Sequence, residues 1–162
     1  MSDDTKQTAW PHLRPAANAD AAQIREMVFD VLIEYGLQPD PECIDADLND
    51  IEQSYIHPGG TFLVLEMPDG RIIGACGLYP VDEHTCELRK MYLRRNWRGK
   101  GHGRRMMEHA LTEARQRRFT RMTLETASVL TEAIELYRRF GFERYEPAHL
   151  CRRCDQAYQR RL

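Results

Sequence analysis

Apolar residues recur along this chain with two different periods, and each change of period marks an element. His12–Ala16 fits a short first strand. After Asn18 or Asp20, either able to cap, Ile24, Met27, Val28, Val31, Leu32 and Tyr35 recur at helical spacing; Gly36 then ends the predicted helix. Beyond the loop Pro39–Glu42, Asp45 is expected to cap a second helix carrying Leu48, Ile51 and Tyr55 inward, broken by His57-Pro58-Gly59-Gly60. The period then drops to two. Thr61–Met67 and Arg71–Tyr79, joined by the turn Pro68-Asp69-Gly70, predict a β-hairpin, and Cys86–Leu93 a third strand with Glu87, Arg89, Met91 and Leu93 on one face.

Helical spacing returns after the glycine-rich turn Trp97–Gly103. Met106, Met107, Ala110, Leu111 and Ala114 form one stripe of a helix running to about Arg118. Thr120–Thr126 reads as a strand. Thr131–Phe140 reads as a helix with Ala133, Leu136, Tyr137 and Phe140 on one side, stopped by Gly141. Short strands near Phe142–Glu146 and Arg153–Tyr158 complete the chain. With no repeats and no linker, the pattern predicts a disordered tail over residues 1–9 and one mixed α+β domain over 10–162.

Composition supports that reading without adding a second domain: 162 residues, 42% apolar and 30% charged. No apolar run approaches the ~20 residues of a membrane span, and the polar N-terminus lacks a secretory h-region. Five cysteines, an odd number, are expected to be free thiols in a reducing cytoplasm. Cys151 and Cys154 have CxxC spacing, but no second ligand pair completes a zinc set, so plain thiols are expected and no metal.

Charge is unevenly divided. Residues 1–93 carry a net −11 and residues 94–162 a net +9, giving −2 overall. The basic half suits a polyanionic ligand. Between residues 94 and 105 stand Arg94, Arg95, Arg98, Lys100, Arg104 and Arg105 with no acid, around Gly99, Gly101 and Gly103. A glycine turn opening a helix can present backbone N–H groups and the positive helix end to phosphates. The spacing G-x-G-x-G is not the dinucleotide fingerprint, and no GK[ST] follows. Sparse aromatics in 94–121 argue against nucleic acid as the partner.

Arg98-Gly99-Lys100-Gly101-His102-Gly103 is similar to the R/Q-x-x-G-x-G/A signature of the GCN5-related N-acetyltransferases, in the expected place between a strand and a helix. Ala133–Phe142 resembles the family's A-x-x-L-Y-x-x-x-G-F segment, and the order of elements agrees from residue 12 onward. The resemblance implies a mostly antiparallel mixed sheet flanked by helices, with splayed central strands, and acetyl-CoA as co-substrate. It implies that the backbone from Arg98 through Gly99, Lys100, Gly101, His102 and Gly103 to Arg104 holds the pyrophosphate. The strand end Met91, Tyr92 and Leu93 would hold the pantetheine arm, with the Leu93 N–H as oxyanion donor. Tyr137 matches the usual general acid, and Glu87 stands where some relatives carry a base, with Glu125 as rival base or substrate contact. One departure is Leu130, where many relatives have asparagine; the hydrogen bond made there is expected to be either lost or supplied by Ser128 or Thr131.

The resemblance also implies acetyl transfer to a primary amine by direct attack in a ternary complex. The acidic run Asp40–Glu52 suits a cationic amine, while Arg89 could meet a substrate carboxylate, so an amino-acid-like or cationic small molecule is expected. The other readings are a non-catalytic acyl-CoA sensor and an enzyme acting on protein lysine or N-termini. Dimers are common in similar proteins, so a second copy is an admissible partner.

Overall fold

The computed structural model describes residues 10–162; the tail assigned to residues 1–9 lies outside them. The strands are β1 (His12–Pro15), β2 (Thr61–Glu66), β3 (Ile72–Pro80), β4 (Thr85–Leu93), β5 (Arg121–Thr126), β6 (Glu143–Tyr145) and β7 (Gln156–Arg161). The helices are α1 (Ala21–Glu34), α2 (His102–Gln116) and α3 (Thr131–Arg139). The strands form one sheet in the order β1-β2-β3-β4-β5-β7-β6. Every neighbouring pair is antiparallel except β4 and β5. The fold is thus α+β, as expected.

Alternation along the strands gives the sheet two apolar faces. Phe62, Val64, Ile72 and Ala75 meet the α1 stripe Ile24, Met27, Val28, Val31 and Leu32, with Leu48, Ile51 and Tyr55 completing that layer. Leu63, Leu65, Cys76, Leu78, Cys86 and Leu88 meet α2 and α3 through Met106, Met107, Ala110, Leu111, Ile134 and Tyr137. The α2 stripe is the predicted one. In α3 Tyr137 is buried and Ala133 and Phe140 pack against the same core, as expected, with Ile134 buried beside them, while Ala133 and Leu136 also line an open cleft.

Three expectations need correction. Asp45 caps no helix: its side chain makes no cap bond, and a short 3-10 turn (Ala46–Asn49) and a π turn (Glu52–Ile56) stand where a second α-helix was predicted. Tertiary burial of Leu48, Ile51 and Tyr55 fixes this stretch without regular helical geometry. The last strand begins at Gln156, three residues later than read, because Cys151–Asp155 forms a pinned loop. And Glu87, Arg89, Met91 and Leu93 do not share a face. Gly77 pairs with Arg89 but Ala75 with Tyr92, so β4 holds one extra residue here. Lys90 takes φ 52, a left-handed conformation costly for a side chain other than glycine. Glu87 and Arg89 therefore lie on the α1 side, whereas Met91 and Leu93 pack with the α2/α3 core.

One glycine is dictated by crowding. A Cβ on Gly60 would lie 1.9 Å from the Leu78 carbonyl oxygen and 2.9 Å from that of Tyr55. Since backbone must move, Gly60→Ala is expected to destabilise the fold by about 1–3 kcal/mol, measured as a lower urea midpoint at unchanged slope.

Candidate active site

Two clefts meet at the middle of the sheet. β4 and β5 pair only over Thr85–Glu87 and Arg121–Thr123 and then part. Beyond that point the β5-facing edge of β4 is unpaired. The Arg94 N–H bonds the Ile73 carbonyl on the β3 side, so by strand alternation the Leu93 N–H and C=O face the opening. Arg98 Nε donates to that Leu93 carbonyl at 2.9 Å, leaving the Leu93 N–H directed at the cleft.

The larger cleft, about 860 Å³, runs from this opening between α1, α2 and α3 and is lined by Met91, Tyr92, Leu93, Arg98, Gly99, Gly101, Gly103, Arg104 and Tyr137, among others. Gly99 and Gly101 take φ values of +72° and +87°, which a side chain would resist. Gly101 is the N-cap of α2 and supplies no side-chain cap. The first amides of the helix therefore have no partner within it, and an anion can satisfy them. Lys100 and His102 do not line the cleft. Lys100 sits 5.2 Å over the Trp97 ring. His102 is buried near Trp10 and Trp97, at 4.9 and 6.1 Å between ring centroids. Its pKa is lowered by burial and then by Arg105 and Lys100, so it can offer the cleft only its backbone.

Much of the basic stretch is already neutralised. Arg98 pairs with Glu34 and bonds the Tyr35 hydroxyl, Arg94 pairs with Asp30, and Arg104 with Glu108 on its own helix. Tyr35 in turn donates to Glu132 at 2.7 Å, so this network spans the cleft from α1 to α3.

The smaller cleft, about 240 Å³, lies on the other side of the opening and is lined by Glu87, Arg89, Lys90, Glu125, Cys151, Arg153 and Cys154. Met91, Tyr92, Leu130 and Tyr137 line both clefts. Tyr137 is held against Phe142 and Tyr158. Burial, then the neighbouring Tyr92, raises its pKa, so its phenol keeps its proton. Leu130 is the N-cap of α3 and makes no cap bond. Ser128 does not replace it, because its hydroxyl and N–H are both bound to Asp155; Thr131 lines the larger cleft.

The two candidate bases have different surroundings. Glu87 is ion-paired with Arg89, whose guanidinium lies 3.9 Å over the Tyr79 ring. Glu125 has no cationic partner among the described residues and accepts one bond, from the Cys151 N–H at 3.0 Å. Burial chiefly, with a contribution from Glu87, raises its pKa despite that bond. Half of the acidic run that sequence suggested as an electrostatic lure is spent internally. Asp45 is fully buried and bonds Lys90 at 2.7 Å and Arg153 at 2.8 Å. Asp47 accepts from Tyr55, and Asp40 pairs with Arg152. Burial alone would push the Asp45 carboxyl up, yet Arg153 and Lys90 hold it down to about 2. Sequence reasoning missed Asp45, Lys90 and Arg153 as a unit. It noticed the CxxC spacing but had no means of placing it in a cleft.

The chain and its fold have known counterparts. A family model described as the Acetyltransferase (GNAT) family matches residues 25–142. The Escherichia coli (strain K12) protein named uncharacterized N-acetyltransferase YjgM is 35% identical over 146 residues, covering 87% of each chain. An acetyltransferase of the same family from Staphylococcus aureus Mu50 superposes with a TM-score of 0.87 at 19% identity, over 93% of this chain and 98% of that one. An acetyltransferase structure from Salmonella typhimurium with its cofactor acetyl-CoA gives 0.73 at 22%, over 93% of each. The splayed strands, glycine turn and shared tyrosine are thus features of a chain that belongs to the GNAT family of N-acetyltransferases.

Proposed function

We propose that the chain transfers the acetyl group of acetyl-CoA to a small cationic primary amine bound in the smaller cleft. The observation that carries this reading is the meeting of the two clefts at Tyr137, with the unpaired edge of β4 beside it. The larger cleft fits acetyl-CoA: uncapped α2 amides and the Gly99–Gly101 turn suit its pyrophosphate, and the Met91–Leu93 edge suits its pantetheine amides. Acetyl-CoA supplies the activated acyl group. The Leu93 N–H stabilises oxyanion charge developing on that group, and the Tyr137 hydroxyl donates its proton to the departing sulfur.

Glu125 takes the proton of the acceptor ammonium. Its raised pKa makes it a stronger base than an ordinary carboxylate; among the described residues no cation is ion-paired with it, and the charge of Arg89 only moderates the rise. Glu87 is the weaker candidate because Arg89 already claims its charge. For the same reason Arg89 is a poor anchor for a substrate carboxylate. Lys90 and Arg153 are likewise committed to Asp45, which favours a cationic over an anionic acceptor. The volume of about 240 Å³ suits a small molecule.

Glu125→Gln is expected to lower kcat/KM for the amine by on the order of 10²-fold and to flatten the acid limb of its pH profile, since the base works only when deprotonated. Glu87→Gln is expected to cost less than about tenfold. Steady-state kinetics of both variants from pH 5.5 to 9 decide between them; the reverse ranking would make Glu87 the base.

A further inference from the structure

The CxxC pair is not used by the reaction just described, yet it stands in the wall of the acceptor cleft. Cys151 and Cys154 lie on the loop between β6 and β7, and both line the same cleft as Glu125 and Tyr137. Their sulfurs are 3.0 Å apart, about 1 Å from the ~2.05 Å of a disulfide bond. The loop is held at three points. The Cys151 N–H is bonded to Glu125. Between the two thiols, Arg153 is clamped on Asp45 through both guanidinium nitrogens and on the Gln38 carbonyl. The N–H of Cys154 bonds the Cys151 carbonyl at 3.0 Å. The pair is thereby kept at bonding approach by its surroundings.

Its chemistry differs from that of the other cysteines. Cys76 and Cys86 are buried, and burial pushes each thiol up to about 12. Cys43 is exposed and has no thiol partner among the described residues. Cys151 is half-exposed, and the hydrogen bond from Cys154, helped by the Arg153 and Cys154 N–H groups, lowers it to about 6, while Cys154 is raised. One attacking thiolate beside one protonated resolving thiol is the arrangement that disulfide exchange requires. No set of three or more Cys, His, Asp or Glu suited to a metal occurs among the described residues.

We propose that Cys151 and Cys154 form a reactive dithiol site in the wall of the acceptor cleft, reversibly oxidised by small-molecule disulfides, and that this oxidation weakens acceptor binding. The Cys151 thiolate attacks one sulfur of the incoming disulfide, that S–S bond breaks, and one thiolate leaves. The leaving thiolate takes the proton of Cys154. Cys154, now a thiolate, attacks the Cys151 sulfur of the mixed disulfide, forming the internal disulfide and releasing the second thiolate, which takes a proton from water. Two protein thiols are oxidised and one disulfide is reduced to two thiols. The cleft loses the Cys151 anion, a negative group that lines it together with Glu125. This second half rests on the proposed function.

The test incubates the reduced full chain with glutathione disulfide, traps free thiols by alkylation and analyses intact mass and tryptic peptides. The expected product has lost two hydrogens, with Cys151 and Cys154 linked across the cleavable Arg152 and Arg153 and the other three cysteines alkylated. Cys154→Ser is expected to stop at a glutathione adduct on Cys151. Oxidation of Cys43 ahead of this pair, or full alkylation of Cys151 and Cys154, would overturn the site. In parallel, thioester absorbance follows turnover of the reduced and oxidised forms. The expected change is a roughly fivefold rise in acceptor KM, from loss of one nearby charge, with KM for acetyl-CoA unchanged. An unaltered acceptor KM in the disulfide form would refute the control of binding. No turnover in either form would refute the acetyl-transfer reading and leave the mass result to decide the dithiol.

Discussion

Replacing Tyr137 by phenylalanine is expected to lower kcat by on the order of 10²-fold while leaving the affinity for acetyl-CoA within about twofold. The ring would keep its packing against Phe142 and Tyr158, so only the hydroxyl is lost, from the one tyrosine besides Tyr92 that borders both clefts. Because burial raises the phenol's pKa, the wild-type group stays protonated across the neutral range, and the defect should be nearly independent of pH below 9. Calorimetry with acetyl-CoA and single-turnover kinetics separate binding from transfer. An unchanged kcat would remove Tyr137 from the mechanism.

The largest expected effect on stability is at Asp45. Asp45→Asn should cost about 3 kcal/mol, because it leaves Arg153 in the interior against a neutral amide and Lys90 with only the Asp47 carboxylate at 3.4 Å. For a chain of this size that is a fall in Tm of about 10 °C. The sign with pH follows from the lowered carboxyl. Held at about 2 in the folded chain against ~3.9 unfolded, Asp45 contributes fully above the unfolded value, and its contribution is lost as pH falls through about 2. The gap between wild type and variant should therefore be full at pH 7 and narrow below about pH 4. Thermal melts at pH 7 and pH 3.5 measure it. Since Asp45 ties the bulge at Lys90 to the loop at Arg153, acceptor KM should suffer more than KM for acetyl-CoA.

These two residues also show what the chain discloses by itself. The helix that carries Tyr137 was legible because its neighbours in sequence are its neighbours in space: the spacing Leu136-Tyr137 to Gly141-Phe142 reports one helix and its cap, whereas the role expected of the Tyr137 hydroxyl came from the family resemblance. The glycine turn and the α2 stripe were legible for the same reason. Asp45 was not. As an acid at the start of an apolar-periodic stretch it reads as a helix cap, and only the tertiary approach of Lys90 and Arg153, 45 and 108 residues away, gives it another role. The bulge at Lys90 breaks an alternation that nothing in Cys86–Leu93 disrupts, so the faces of Met91 and Leu93 were misjudged. Glu87 and Glu125 could not be ranked from sequence because the ranking depends on which carboxylate meets a cation.

The charge of the amine that the smaller cleft accepts is the property that sets this enzyme's acceptor class. The most direct measurement follows loss of thioester absorbance when the reduced full chain is given acetyl-CoA with either cationic primary amines (polyamines and amino-acid amides) or the acidic amino acids aspartate and glutamate. Acetyl-CoA consumed with members of the cationic set, and not above background with the acidic set, is the predicted result. Consumption confined to the acidic amino acids, or acetyl-CoA bound but left intact with every amine offered, would contradict it.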